Sequence, residues 1–327
     1  MNHLSRCGAT ALFATLVAWA LPALGLTQEE CEQQGFEQSV AGHVRAQPVY
    51  DGVHHLDLYL PAGAASAPAP VLVYLHGGGW GGDNWRLTCF GAWLINLVQQ
   101  GFAVASVEYT PAQPVPPTLG GSAENVVRQV REVKHAIRWL KSQAAVYRLD
   151  VDRVVLAGGS AGGHLAALAG LTYGEPAYEP EHAPPQHDAR VHLVFPNAGV
   201  YDIGTFSDGW GTPLVAEVFG CWPTNIESWR PCSDTTLYTA GPIRHVDPSD
   251  PKVYLMHGDL DPVVLPNQAD AFAAVLCGQG RLAHYTRTVS DELTQYGHNL
   301  EYYMASNPYI GGILLAGLAD RLTPNCS

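Results

Sequence analysis

The sequence predicts an α/β protein built on one mostly parallel sheet with helices on both faces. Short runs of β-branched and aromatic residues recur along the chain, and between two of them lies a long segment with helical periodicity. A length of 327 residues, 47% of them hydrophobic, is enough for one substantial core. Strand, helix, strand in this rhythm gives parallel pairing, because a parallel neighbour is reached only by a crossover long enough to hold a helix.

The expected strands are "PVLVYLHGGGW" (70–80), "GFAVASVEYT" (101–110), "RVVLAGG" (153–159), "VHLVFPNAG" (191–199), "KVYLMHG" (252–258) and a last one from "HYTRTV", beginning at His284. Between the second and third, residues 122–145 place Val126, Val130, Val133, Ile137 and Leu140 at steps of four and three, so one helix face is apolar and the rest is charged. Ser122 and Asn125 are its candidate caps. A second helix, rich in small residues, is expected over "AGGHLAALAGL" (161–171). Residues 26–45 read as an N-terminal extension. The stretch 199–250 breaks the rhythm with Trp210, Trp222, Trp229 and several prolines, and reads as an insertion over the sheet. No internal repeat stands out, so residues 26–327 are expected to form a single domain.

Residues 1–25 carry Arg6, an apolar stretch from Ala9 to Leu21, then small residues at Ala23 and Gly25. This is the layout of a secretory signal peptide, and the apolar stretch is short for a membrane span, so the expected location is secreted or periplasmic with no span in the mature chain. The formal net charge of −13, with only 17 Lys and Arg, argues against a nucleic-acid partner. Of seven cysteines, Cys7 leaves with the leader, and an even number in an exported chain reads as disulfides. Cys221 and Cys232 are the best pair, being close in sequence around a Trp- and Pro-rich loop. Elimination then suggests Cys277 with Cys326 and Cys31 with Cys89. No spacing of His and Cys suggests a zinc site. Asn325-Cys326-Ser327 matches a glycosylation sequon in form.

The chemistry centres on "VVLAGGSAGGHL" (154–165), where Gly158-x-Ser160-x-Gly162 follows an expected strand and precedes an expected helix. A sharp strand-to-helix turn forces the serine into strained dihedrals and needs glycines two residues to either side, where a side chain would strike a neighbouring element. It lifts Oγ clear of the sheet, at the positive end of the helix. A phosphate loop would require a lysine that is absent here, and a dinucleotide turn a different glycine spacing.

Oxyanion donors are expected from "LHGGGW" (75–80): the main-chain N–H groups of Gly77 and Gly78, with that of Ala161 beside the serine. His76 reads as structural, bonding within its own loop. The acid and the base should follow in that order. Asp261, on the loop past "VYLM", is preferred to Asp259, and His298 in "YGHNL" is preferred to His284. Ser160, Asp261, His298 is the chain order of the α/β-hydrolases.

"LHGGGW", "GGSAGGHLAAL" and "HGDLDPVV" resemble the esterase branch of that superfamily, close to the hormone-sensitive-lipase-like carboxylesterases and nearer still to the BD-FAE-like group, over roughly residues 50–320. That group includes acetylxylan and feruloyl esterases and borders on the kynurenine formamidases. The resemblance implies an acyl-enzyme esterase needing no cofactor, with a small-molecule or carbohydrate ester as substrate. Leu265 and Asn299 depart from the group, standing where proline and a glycine or apolar residue are usual. Trp80, Trp85 and Tyr109 fall at the carboxyl edge of the sheet, where ligands bind, and are candidate substrate contacts. An amidase or formamidase on the same triad is the alternative, opposed by the leader; an inactive binding protein would be expected to have lost the serine or histidine.

Overall fold

A computed structural model describes residues 44–62, 67–82, 92–117, 120–206, 212–222, 231–288, 297–298, 304 and 309–326. The leader, Cys31, Cys89, Trp85, Trp210, Trp229 and Asn299 lie outside the described residues, and with them the proposed pairing of Cys31 with Cys89.

Eight strands form one sheet in the order β1-β2-β4-β3-β5-β6-β7-β8. They are β1 (Val44–Ala46), β2 (Leu56–Leu60), β3 (Ala69–Leu75), β4 (Ala103–Val107), β5 (Leu149–Gly159), β6 (Leu193–Asn197), β7 (Lys252–Gly258) and β8 (Leu282–Thr288). β2 runs antiparallel to both β1 and β4, and every other pairing is parallel. The central strands are buried on both faces, which is why they read as continuous apolar runs.

Successive residues of β3 serve opposite layers. Val71, Val73 and Leu75 join one core with α2 (Glu124–Ser142), α3 (Ala161–Leu171) and α6 (Asn267–Gly278). Leu72 and Tyr74 join the other, with α1 (Ala92–Gln99) and α7 (Ile310–Leu318). The five apolar positions expected on α2 are all buried.

The differences from expectation have local causes. β2 was not anticipated because Asp57 interrupts "LDLYL"; its buried carboxylate is satisfied by Gln47 Nε2 at 2.7 Å and the Tyr59 hydroxyl at 3.1 Å. β3 stops at Leu75, five residues before the expected end, since Gly78, Gly79 and Trp80 all have positive φ. α2 begins at Glu124 rather than Ser122, whose Oγ accepts the Glu124 N–H at 3.2 Å. Asn125 is not a cap: its side chain donates to the carbonyls of Gln113 and Val218 and accepts from the Gln113 N–H, joining the loop at Gln113 and the end of the helix at Thr212–Phe219 to α2.

Within 199–250 lie α4 (Thr212–Phe219) and α5 (Asp234–Ala240). Cys221–Cys232 is a disulfide that ties this segment together, and Cys277–Cys326 ties α6 to the C-terminal tail. Among the described residues no helix is long and apolar enough to cross a membrane.

Candidate active site

Ser160 sits between the end of β5 and the start of α3, with φ 56° and ψ −122°. A left-handed φ is costly for a residue with a side chain, so the turn must be held from outside. The Ser160 N–H donates to the Asn197 carbonyl at 2.9 Å, and its own carbonyl accepts from the His164 N–H at 3.0 Å. Close packing explains the flanking glycines. A Cβ at Gly158 would lie 2.7 Å from the Leu75 carbonyl oxygen, and one at Gly162 would be driven into the carbonyl oxygens of Leu75 and His76.

Around this turn the fold brings the expected residues together. His298 Nε2 lies 2.9 Å from Ser160 Oγ, and His298 Nδ1 lies 2.8 Å from Asp261 Oδ2. A carboxylate can only accept, so Nδ1 carries the proton and the Nε2 lone pair faces the serine hydroxyl. Asp261 is buried just past β7, and its Oδ1 accepts the N–H groups of Val263 at 2.9 Å and Val264 at 3.0 Å. Burial by itself would raise the Asp261 carboxyl. The charge of His298 and hydrogen bonds from His257 and His298 outweigh it and bring the pKa down to about 2. Asp261 is therefore an anion throughout the neutral range. The alternative histidine lies elsewhere: His284 Nδ1 meets the Thr323 carbonyl at 2.9 Å.

The loop after β3 runs directly against the serine. A Cβ at Gly77 would lie 3.3 Å from Ser160 Cβ and 3.1 Å from the Gly159 carbonyl oxygen. Gly78, Gly79 and Trp80 follow with φ of 107°, 60° and 61°. Ala161 is the first residue of α3, and the first amides of a helix have no partner within it. The main chain of Gly77 and the amide of Ala161 thus flank Ser160, and Gly78 is the next residue of the loop.

Trp80 and Tyr109 are both buried, each packed on a histidine. Trp80 is 3% exposed and packs edge-on against His164 and Phe219; its indole N–H donates to His164 Nδ1 at 2.9 Å. Tyr109 is 1% exposed, stacks flat on the His76 ring and donates its hydroxyl to the His76 carbonyl at 2.6 Å. Both residues follow the ends of β3 and β4, and both rings point inward against the segment after β3.

Two buried histidines went unnoticed in the sequence. His257, in "HGDLDP", places Nε2 2.8 Å from the Val264 carbonyl and 3.2 Å from Asp261 Oδ2. His164, in "GGHL", joins Trp80 to the Ala240 carbonyl. Both stand inside the motifs singled out in the sequence, and a histidine four residues from Asp261 or Ser160 is the available signal.

Comparison with known proteins agrees with this architecture. The BD-FAE family model matches residues 56–276, more than half of the chain. A probable carboxylic ester hydrolase, LipM, of Mycobacterium tuberculosis is 28% identical over 68% of this chain and 48% of its own length. Esterase LipQ of the same organism is 31% identical over 65% of this chain and 47% of its own. The chain thus spans about half the length of these curated relatives. A truncated carbohydrate esterase from gut microbiota superposes with a TM-score of 0.67 at 22% identity, covering 86% of this chain and 97% of that one. With the family model matching from β2 through β7, the chain belongs to the BD-FAE family and has the α/β-hydrolase fold.

Proposed function

We propose that the protein is an exported serine carboxylesterase that hydrolyses short-acyl or carbohydrate-linked esters through an acyl-enzyme intermediate. The observation that carries this reading is the unbroken hydrogen-bonded series from Ser160 Oγ through the His298 ring to Asp261 Oδ2, at 2.9 and 2.8 Å.

In this mechanism His298 Nε2 takes the Ser160 proton as Oγ attacks the ester carbonyl carbon. Asp261, already an anion, holds the imidazole in the required tautomer and stabilises the imidazolium. The N–H groups of Gly77, Gly78 and Ala161 receive the negative charge on the former carbonyl oxygen. Collapse expels the alcohol, which takes the proton from His298, and a water molecule then repeats the sequence on the acyl-enzyme. Export is supported by the leader-like residues 1–25 and by the Cys221–Cys232 and Cys277–Cys326 disulfides, which persist in oxidising compartments. Similarity to the probable ester hydrolase LipM and to the esterase LipQ supports an ester as the substrate class.

The test is hydrolysis of p-nitrophenyl esters from acetate to decanoate, with acetylated xylan and methyl ferulate, by the wild type and Ser160→Ala. Release from short chains or the carbohydrate esters is expected, falling on the order of 10⁴-fold in the variant. Near wild-type turnover by Ser160→Ala would refute the assignment.

A further inference from the structure

We infer that Trp80 and His164 are positioning residues that hold the oxyanion loop against the nucleophile turn; the inference rests on the acyl-transfer reading of the site. Trp80 is the residue that ends the run of positive φ, at 61°, immediately after Gly78 and Gly79. A bulky side chain does not adopt this backbone unless its surroundings impose it. Three polar contacts do so here. The Trp80 carbonyl accepts from the Ala112 N–H at 2.8 Å and from Gln129 Nε2 at 2.9 Å, and its indole N–H donates to His164 Nδ1 at 2.9 Å.

The His164 contact differs from the other two in what it joins. His164 lies four residues after Ser160, and its N–H closes the first turn of α3 on the Ser160 carbonyl. Its ring therefore connects the helix that begins at the nucleophile to the loop that carries the expected oxyanion donors. The tautomer is set by the partners. An indole N–H can only donate and a carbonyl can only accept, so Nδ1 is bare toward Trp80 and Nε2–H points to the Ala240 carbonyl at 2.7 Å. Complete burial holds the ring neutral, its pKa brought down to about 4, so the arrangement persists across the neutral range.

The functional consequence follows from what the loop does. Without the indole contact, residue 80 can relax toward ordinary φ, and the preceding peptides turn with it. The charge on the oxygen is fully developed only in the transition state, so displaced donors lower kcat far more than they raise KM. A displacement of this kind costs about 10- to 100-fold.

The test uses the full chain with p-nitrophenyl acetate and measures kcat and KM for Trp80→Phe, His164→Leu, the double variant, His164→Asn and Ser160→Ala. Trp80→Phe keeps an aromatic ring and removes the N–H; His164→Asn keeps an acceptor near the Nδ1 position and gives up the Ala240 contact. Trp80→Phe and His164→Leu are each expected to lose about 10- to 100-fold in kcat with KM within about 2-fold, the double variant to lose no more than the worse single, and His164→Asn to stay within about 5-fold of wild type. Unchanged kcat in folded Trp80→Phe beside an inactive Ser160→Ala would overturn the inference and leave the acyl-transfer reading standing. Losses that multiply in the double variant would also overturn it. Should His164→Leu fail to fold, Trp80→Phe and His164→Asn decide. Activity in Ser160→Ala would remove the acyl-transfer reading and the inference together.

Discussion

His257 Nε2 lies 3.2 Å from Asp261 Oδ2, the same carboxylate oxygen that faces His298 Nδ1 at 2.8 Å. One oxygen thus meets two imidazoles, His257 from the buried end of β7 and His298. The second contact fixes the carboxylate independently of His298 and helps bring its pKa from 3.8 down to about 2. A depressed carboxylate pKa stabilises the fold above the unfolded value, and that stability is lost as pH falls from about 4 to about 2. His257→Phe should destabilise the protein by about 1–3 kcal/mol at pH 7 and shift its acid unfolding to higher pH, with kcat down about 10-fold. His257→Gln, which keeps a donor where Nε2 stands, should recover most of both. Thermal melts from pH 7 to pH 3, alongside kcat at pH 7, check this; a His257→Phe profile superimposable on wild type would deny His257 any part in holding Asp261.

Gly297 sets how closely the His298 segment approaches the Asp261 loop. A Cβ there would lie 2.8 Å from the Leu260 carbonyl oxygen, 2.9 Å from Pro262 Cδ and 3.1 Å from Asp261 Cα, and these groups are main chain or ring. Gly297→Ala must therefore push the His298 segment away from the acid loop by some tenths of an ångström. The expectation is a fall of about 10- to 100-fold in kcat with little change in melting temperature. Full activity in Gly297→Ala would mean that the two segments separate without disturbing the hydrogen bond from His298 to Asp261.

Asp250 gives a pH dependence of the opposite sign. Burial, with the neighbouring charges of Asp247 and Glu175, raises its carboxyl to about 7 against the hydrogen bond from the Asp247 N–H and the charge of Arg281. The folded state then holds a proton that the unfolded chain releases near pH 4, so stability falls as pH rises from about 4 to about 7. Asp250→Asn keeps an acceptor for the Asp247 N–H and never ionises. It should be more stable than wild type by about 1–3 kcal/mol at pH 8 and nearly equal at pH 4. Equal melting temperatures at pH 8 would show that the carboxylate is accommodated there without penalty.

What the sequence made legible was what is local or repeated. The turn at Ser160 could be read because close approach of Gly158 and Gly162 to the Leu75 and His76 carbonyls forbids a Cβ, and that prohibition leaves a short signature. The parallel strands were legible because burial on both faces writes continuous apolar runs. β2 was not, since its Asp57 is satisfied by partners that spacing does not reveal. Trp80 and Tyr109 read as substrate contacts because a sequence places a residue on a loop without saying which way its side chain turns. His164 stayed hidden for the same reason: its partner Trp80 is 84 positions away, and only the fold brings the two rings to 5.3 Å.

The central claim is that Ser160 is the nucleophile, and covalent labelling tests it most directly. The wild-type protein would be inactivated with a fluorophosphonate and the adduct located by mass spectrometry of its peptides, with residual p-nitrophenyl acetate hydrolysis followed in parallel. The predicted result is one phosphonyl group per chain, on the peptide that carries Ser160, with activity lost in proportion to labelling. Inactivation with the adduct on a different residue, or full labelling of Ser160 with activity retained, would contradict it.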